Sequence, residues 1–287
     1  MDVLAGGPPC QPFSLGGVAK GDEDRRNGFP HMFRAIRQME PKAVICENVR
    51  GLLRPSFMPY FEYIKRELSL PFEGRREGSG WQEHNEVLQH MLESATVEPK
   101  ERYDVRHYPI NAADYGVPQI RNRVIIIAFQ RDIGVDWNRF EELVRPQYSE
   151  AALYEEMRNG AYWERHPEVP KEVRSRVMSR IPQAPLASFE TRHLNPWRTL
   201  RDAIKGIDGQ RPLPPVEKLD RKEYFLGDFT DHIGWPDARI YAGHTPNELD
   251  RPAKTVKAGV HGVPGGESVM LLDDGSHRYM TVRETAG

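Results

Sequence analysis

The first fourteen residues place a cysteine at the end of a rigid turn. A short apolar run at residues 3–5 (Val-Leu-Ala) has the composition of a strand, and residues 6–9 (Gly-Gly-Pro-Pro) follow it directly. Glycine permits a sharp backbone path, and successive prolines fix φ, so the side chain of Cys10 is held with little freedom. A strand that leads into a turn ending on a thiol is typical of a presented nucleophile.

Strand and helix patterns alternate through the first half of the chain. Apolar residues recur at helical spacing over residues 27–39 and 57–68, and short apolar runs at residues 43–46, 103–110 and 123–129 indicate strands. Residues 73–81 are polar and glycine-containing, and with the helix-like segment after them they resemble an insertion. The pattern predicts an α/β fold whose sheet is covered by helices on both sides.

The second half is less regular. From residue 132 to residue 241 the periodicity is patchy and prolines are frequent, although residues 197–207 read as a helix. Stronger structure returns near residues 251–256. We therefore predict a first domain at residues 1–131 that holds the presented cysteine, a smaller irregular domain at 132–241, and a return segment to the first domain at 242–287.

Composition limits the classes of protein. The 287 residues contain no uninterrupted apolar run near the roughly 20 residues that a membrane helix needs, so we expect a cytoplasmic protein without membrane association. Two cysteines are too few for a disulfide framework, and the ten histidines show no metal-ligand spacing. A net charge of -2 does not indicate nucleic-acid binding, but a local basic face could still provide it.

Chemically active side chains lie at the ends of three of the predicted strands. Cys10 follows the first, Glu47 follows the second, and the segment containing Arg121 and Arg123 opens another. In a parallel sheet the thiol and the carboxylate share the carboxyl edge, where ligands of open α/β sheets bind. Taken singly, each has an ordinary alternative: an inert turn cysteine, a strand-end charge or helix cap, and arginines of a surface ion pair.

The Pro-Cys pair also occurs in zinc-dependent nucleobase deaminases, but that class is excluded. Deaminases of that class carry Pro-Cys-x-x-Cys, and Phe13 stands at the position of the second cysteine here.

Six segments together resemble the cytosine carbon-5 DNA methyltransferases. They occur in that family's order and touch both ends of the chain: residues 7–14 (Gly-Pro-Pro-Cys-Gln-Pro-Phe-Ser), 24–27, 47–49 (Glu-Asn-Val), 111–123, 251–256 and 281–284. The resemblance implies a partial Rossmann-like, S-adenosylmethionine-dependent methyltransferase sheet, with a target-recognition domain in the irregular region. It further implies methyl transfer to carbon 5 of cytosine in double-stranded DNA, as in prokaryotic or phage restriction-modification systems.

The resemblance also assigns roles to the reactive residues. Cys10 would add to carbon 6 of a cytosine flipped out of the duplex, which makes carbon 5 nucleophilic. Glu47 would act at ring nitrogen 3 and at the exocyclic amine, while Arg123 would hold the carbonyl oxygen of the base and orient Glu47. Arg121 would assist at the thiol or at a nearby phosphate.

Supporting roles follow from the same resemblance. Three residues are implied to contact DNA or to support the loop that does so: Gln11, Ser14 and Gln119. Three others are implied to contact the cofactor S-adenosylmethionine: Pro9, Phe29 and Asn48. Phe29 stands where the family more often has leucine.

The chain departs from the family pattern in what it lacks. The strand and loop that cradle the methionine part of the cofactor, the acidic residue for the ribose, and the last motif are absent from these 287 residues. We expect an exposed apolar strand edge and a chain that is inactive alone, either a fragment or a subunit completed by a complementary chain. The alternatives are a non-catalytic DNA-binding or scaffold chain and, third, an RNA methyltransferase.

Overall fold

The computed structural model describes residues 2–9, 13, 26–94, 97–182, 193–206, 211–214, 216, 229–232, 238, 240, 242–256 and 267–286. The chain divides into two compact units. Unit 1 comprises Met1–Ile110 and Asn122–Arg145, and unit 2 comprises Asn111–Arg121 and Pro146–Gly287. The functional boundaries drawn from the sequence at residues 131 and 241 remain predictions.

The secondary structure can be given in chain order. The strands are β1 (Val3–Gly6), β2 (Ala43–Val49), β3 (Tyr103–Asn111), β4 (Gln119–Ile120), β5 (Asn122–Gln130), β6 (Tyr148–Ser149), β7 (Asn195–Pro196), β8 (Asn247–Glu248), β9 (Ala253–Lys254), β10 (Val269–Leu271) and β11 (His277–Tyr279). The helices are α1 (Phe29–Met39), α2 (Met58–Ser69), α3 (Trp81–Glu93), α4 (Trp137–Leu143), α5 (Glu150–Asn159), α6 (Ala161–Arg165), α7 (Lys171–Met178), α8 (Leu200–Lys205) and α9 (Val282–Ala286).

Unit 1 is built on a mixed sheet in the order β1-β2-β5-β3. Strands β1 and β2 are parallel, with Gly6 opposite Cys46. Strand β5 runs antiparallel to β2, with Val49 opposite Arg123. The α/β class predicted from the sequence is confirmed, but the sheet is not purely parallel. Because β5 is reversed, its beginning lies at the edge where β2 ends.

One face of this sheet carries the core of unit 1. The apolar positions predicted for α1 are buried, and they pack with α2, α3 and the inward-facing residues of β2 and β5. Fully or almost fully buried members of this core include Phe29, Phe33, Ile36, Val44, Ile64, Leu68 and Ile126. Each such side chain contributes about 1.5–3 kcal/mol by leaving water, so this face defines the unit.

The opposite face and the β1 edge expose apolar side chains. Val3 is 51% exposed and Ile45 is 38% exposed, and strand β1 ends the sheet among the described residues. Among the described residues, the expectation of helices on both sides is therefore not met around β1 and β2. The register of Ala5 against Ile45 puts these side chains on one surface. An exposed apolar surface beside a strand whose outer edge is unpaired among the described residues favours pairing with further polypeptide.

Unit 2 combines short strand pairs with two small apolar clusters. One cluster is formed by α5, α6 and α7 around Tyr162, and the other includes Leu200, Ala253 and Met270. Unit 2 also contains a buried ion-pair network. Arg201 Nε lies 2.7 Å from Asp250 Oδ1, and the same guanidinium pairs with Asp273. Within the described residues of both units, no helix has the length and apolar character required to span a membrane.

Candidate active site

Cys10, the proposed nucleophile, lies outside the described part of the chain, as do Gln11 and Ser14. The structure does describe residues 2–9 before Cys10 and Phe13 after it. Before Cys10, the carbonyl oxygen of Pro8 accepts a hydrogen bond from Asn48 Nδ2 at 3.1 Å. After it, Phe13 is fully buried and its ring contacts three aromatic rings, those of Phe29, Phe57 and Tyr60. Both ends of the Cys10 segment are thus held by unit 1.

Two glycines allow the chain to pass close to these ends. A Cβ atom added at Gly28 would stand 2.4 Å from Cδ of Pro9, and one added at Gly51 would stand 2.2 Å from the carbonyl oxygen of Phe13. Real Cβ atoms do not approach neighbours this closely, so a larger residue at either position would have to displace the segment. Space, and not an unusual backbone conformation, requires glycine here.

Glu47 and Arg123 form the charged centre of unit 1. Arg123 Nε lies 2.5 Å from Glu47 Oε1, and the N–H is not aligned with that oxygen, so the contact is an ion pair. The guanidinium also donates from Nη1 to the carbonyl oxygen of Asn122 at 2.7 Å. The antiparallel pairing of β5 with β2 extends to Val49, which places Glu47 within β2 rather than after it.

The Glu47 carboxylate lies beside the segment that leads to Cys10. A Cβ atom added at Gly7 would stand 3.2 Å from Glu47 Oε2, so this oxygen borders the backbone three residues before the cysteine. The parallel register of Gly6 with Cys46 explains the proximity, because the next residues along each strand are neighbours as well. The structure therefore brings Glu47, Arg123 and the approach to Cys10 together at one edge of the sheet.

Gln119 and Arg121 lie on a loop of unit 2 whose backbone is fixed at several points. The backbone N–H of Arg121 donates to Asn111 Oδ1 at 3.0 Å, and its carbonyl oxygen accepts from the N–H of Ala112. Gln119 pairs with Ala253 where β4 and β9 run parallel. Two of the segments singled out in the sequence, residues 111–123 and 251–256, are thus hydrogen-bonded to each other.

The family profile of C-5 cytosine-specific DNA methylases matches residues 1–70 and 81–286. The chain belongs to this family. The unmatched residues 71–80 overlap the predicted insertion at residues 73–80, whereas the helical segment that the sequence grouped with it is matched.

Two bacterial relatives illustrate the similarity to known methylases. Type II methyltransferase M.AplI of Arthrospira platensis is 36% identical over 154 residues, which cover 54% of this chain and 35% of the relative. Type II methyltransferase M.NgoMIV of Neisseria gonorrhoeae is 34% identical and covers 46% of this chain and 33% of the relative. The chain spans about a third of the length of these relatives.

Among solved structures, the Entamoeba histolytica methyltransferase EhMeth is 17% identical, covers 47% of this chain and 34% of that chain, and has a TM-score of 0.27.

The residues implied to contact the methylase cofactor do not form an open pocket among themselves. Phe29 is fully buried in the core, and Asn48 is fully buried with its amide bonded to Pro8 and to the N–H of Val49. Of the three, only Pro9 is exposed. In the described part of the chain, these side chains alone do not provide a fit for S-adenosylmethionine.

The structure gives Asn48 a role other than the cofactor contact implied from the sequence, because its side chain anchors the Cys10 segment through Pro8. Several residues of the candidate site were assigned no role from the sequence, among them Gly28 and Gly51, which make room for that segment. In unit 2, Trp197 Nε1 donates to Asp114 Oδ1 at 2.9 Å and so ties the loop of Arg121 to the residues before α8. Burial raises the pKa of Asp114, although the hydrogen bond from Trp197 acts in the opposite direction. Asn111 and Asp114 belong to the segment 111–123 that resembles the family, and this membership was the one feature of the sequence that pointed to them.

Proposed function

We propose that this chain carries the base-reacting part of a DNA (cytosine-5-)-methyltransferase. The observation that carries the proposal is the 2.5 Å ion pair between Glu47 and Arg123 beside the segment that leads to Cys10. A carboxyl group and a guanidinium held at fixed positions can bind a planar polar ring in one orientation. Membership of the C-5 cytosine-specific DNA methylase family supports the proposed substrate, a cytosine in double-stranded DNA.

The proposed chemistry begins with the thiolate of Cys10. Its sulfur adds to carbon 6 of the flipped cytosine, and the electrons of the 5,6 double bond move toward carbon 5, which becomes enamine-like. Glu47 donates a hydrogen bond or a proton at ring nitrogen 3 and so stabilises the negative charge that develops in the ring. Arg123 binds the carbonyl oxygen of the base and keeps Glu47 in place.

The methyl donor of this family is S-adenosylmethionine. After carbon 5 has been methylated, its proton passes to solvent and the Cys10 sulfur leaves carbon 6 as the free thiolate, which restores the aromatic ring. Any proton that Glu47 gave to ring nitrogen 3 returns to Glu47 in this step. The remaining assigned residues have supporting roles: Gln11 and Ser14 contact the opened site or the phosphate backbone, Gln119 supports its own loop, and Arg121 assists at the thiol or a phosphate. Flipping the base costs a few kcal/mol, about the free energy of unstacking and unpairing it.

We further infer that these residues need additional polypeptide to hold the cofactor. Two of the three implied cofactor contacts are buried and committed to packing or hydrogen bonds, and β1 presents an exposed apolar edge. A strand added at β1 would pair its open edge, and a helix connected to that strand could pack over Val3 and Ile45 and supply a wall that unit 1 lacks among its described residues. That polypeptide is either continuous with this chain or a separate complementary subunit.

Reconstitution tests the proposed function. The chain alone and the chain combined with the cofactor-binding segments of a related methylase are each incubated with unmethylated bacterial DNA and tritiated S-adenosylmethionine. Only the reconstituted protein should transfer label to cytosine. Robust transfer by the chain alone would contradict the need for added polypeptide, and DNA binding without transfer in the reconstituted protein would favour the scaffold alternative.

A further inference from the structure

Unit 1 contains a cavity away from the Glu47–Arg123 pair. Its volume is about 540 Å³. It lies between α1, α2 and the segment that enters α3, and its walls include Phe33, Tyr60, Tyr63 and Trp81. Arg75 also lines it and belongs to residues 71–80, which the methylase profile does not match. Ligand cavities commonly have this size and an aromatic lining.

Three aromatic rings form one wall of the cavity. The ring of Trp81 stands edge-on to that of Tyr60, with 5.3 Å between centroids, and is tilted against that of Tyr63 at 5.5 Å. Tyr60 and Tyr63 are each only 4% exposed, so their positions are fixed by the core. Preorganised rings at these spacings offer edges and faces to a further planar ring.

The acidic group in the cavity is already neutralised. Glu67 is buried, and its Oε1 lies 3.0 Å from Nη1 of Arg37. Its Oε2 accepts a hydrogen bond from the hydroxyl of Tyr63 at 2.9 Å and lies 3.0 Å from Nδ1 of His84. This carboxylate has little remaining capacity to bind a cationic ligand.

Arg75 places a positive charge at the cavity that no described acidic side chain pairs with. It is exposed, and it makes no hydrogen bond or ion pair with any residue that the structure describes. Its positive charge reaches the wall of the cavity, because it opposes the rise that burial produces in the pKa of Tyr63. The lining thus combines a neutralised carboxylate with a guanidinium that is available to an anion.

We propose that this cavity binds a small planar aromatic ligand that carries an anionic group. The ring packs against Trp81 and the two tyrosines, and the anion pairs with Arg75. A nucleoside monophosphate and an aromatic carboxylate share this chemistry. The proposal is independent of methyl transfer, because none of these side chains belongs to the proposed catalytic set.

Calorimetric titration of the full chain tests the site with two pairs of probes. Guanosine 5′-monophosphate is compared with guanosine, and indole-3-acetate with indole, always with excess S-adenosylhomocysteine to occupy any cofactor site. At least one anion should bind about tenfold or more tightly than its neutral partner, as expected for a charge-assisted contact. The anion that binds more tightly identifies the source as phosphate or carboxylate.

Matched variants locate the binding. Arg75→Gln should reduce the affinity for the anion to that of the neutral probe, whereas Arg76→Gln changes a neighbouring exposed arginine that does not line the cavity and should have no effect. Trp81→Leu should weaken both members of a pair, with circular dichroism confirming the fold. Failure of every probe to bind, or equal effects of the two arginine variants, would overturn the proposal.

Discussion

Gly51 lies directly against the carbonyl oxygen of Phe13, which would be 2.2 Å from a Cβ atom at position 51. Because Phe13 follows Cys10 by three residues, this close approach sets where one end of the Cys10 segment can lie. Gly28 limits the position of the other end in the same way, because a Cβ atom at position 28 would stand 2.4 Å from Cδ of Pro9. Both contacts join residues that are distant in sequence, and both explain why a small residue is needed.

Substituting Gly51 should therefore disturb the fold and the proposed activity together. We expect Gly51→Ala to lower the free energy of unfolding by about 1–3 kcal/mol, the usual cost of forcing an extra group into a packed site. Urea denaturation measures it. Gly74→Ala is the control, since a Cβ atom there meets nothing within 4 Å. Equal stability of the two variants would show that the segment can move aside freely.

The ion pair of Arg123 with Glu47 predicts a large kinetic effect without unfolding. Arg123→Ala in the reconstituted enzyme should slow single-turnover methyl transfer by about 100-fold, because a misplaced catalytic group can cost that much. The control is Arg131→Ala. Arg131 follows the end of β5, the strand that contains Arg123, and forms an ion pair with Asp104. Comparable rates for the two variants would contradict the role assigned to Arg123.

Asp202 should make unit 2 sensitive to acid. Burial alone would raise the pKa of Asp202, but hydrogen bonds from His166 and Thr199 outweigh it and hold the pKa below its ordinary value. The carboxylate therefore contributes stability above the unfolded pKa of about 3.9, and this contribution is lost as the pH falls through that value toward the lower folded pKa.

Urea denaturation of the native chain and of Asp202→Asn, at several pH values, isolates this contribution. The variant should be less stable by about 1–3 kcal/mol at pH 7, the cost of weakening buried hydrogen bonds to a charged group. The difference should shrink below about pH 4. A difference that stays constant down to pH 3 would show that the charge of Asp202 does not stabilise the fold.

Cys46 should be chemically inert in the folded protein. Burial raises the pKa of its thiol to about 12, so almost no reactive thiolate forms at pH 8. In a Cys10→Ser variant, a thiol reagent such as Ellman's reagent should react with no cysteine under native conditions and with one after unfolding. Rapid native labelling would mean that unit 1 opens readily around β2.

Local pattern predicted much of unit 1. The spacing of Phe29, Met32, Phe33 and Ile36 identified α1, and all four side chains are buried. The sequence also grouped Glu47 with Arg123, which the structure pairs. These features depend on periodicity and on residues at strand ends, both of which can be recognised in a short window.

Features that depend on distant pairing were not accessible in this way. The reversed direction of β5 is set by its partner β2, and no residue within a strand specifies its direction. The anchoring of Pro8 by Asn48 joins residues 40 positions apart, and Asn48 was instead implied to contact the cofactor. The cavity at Trp81 depends on how residues 71–80 fold back onto α1 and α2.

The central claim is that Cys10 attacks carbon 6 of cytosine. The most direct measurement incubates the reconstituted enzyme and S-adenosylmethionine with duplex DNA that contains 5-fluorocytosine, in which fluorine blocks the proton loss that releases the cysteine. Denaturing electrophoresis should show a covalent protein–DNA complex for the native sequence and none for Cys10→Ser. A complex that persists in Cys10→Ser would contradict the assignment of Cys10 as the nucleophile.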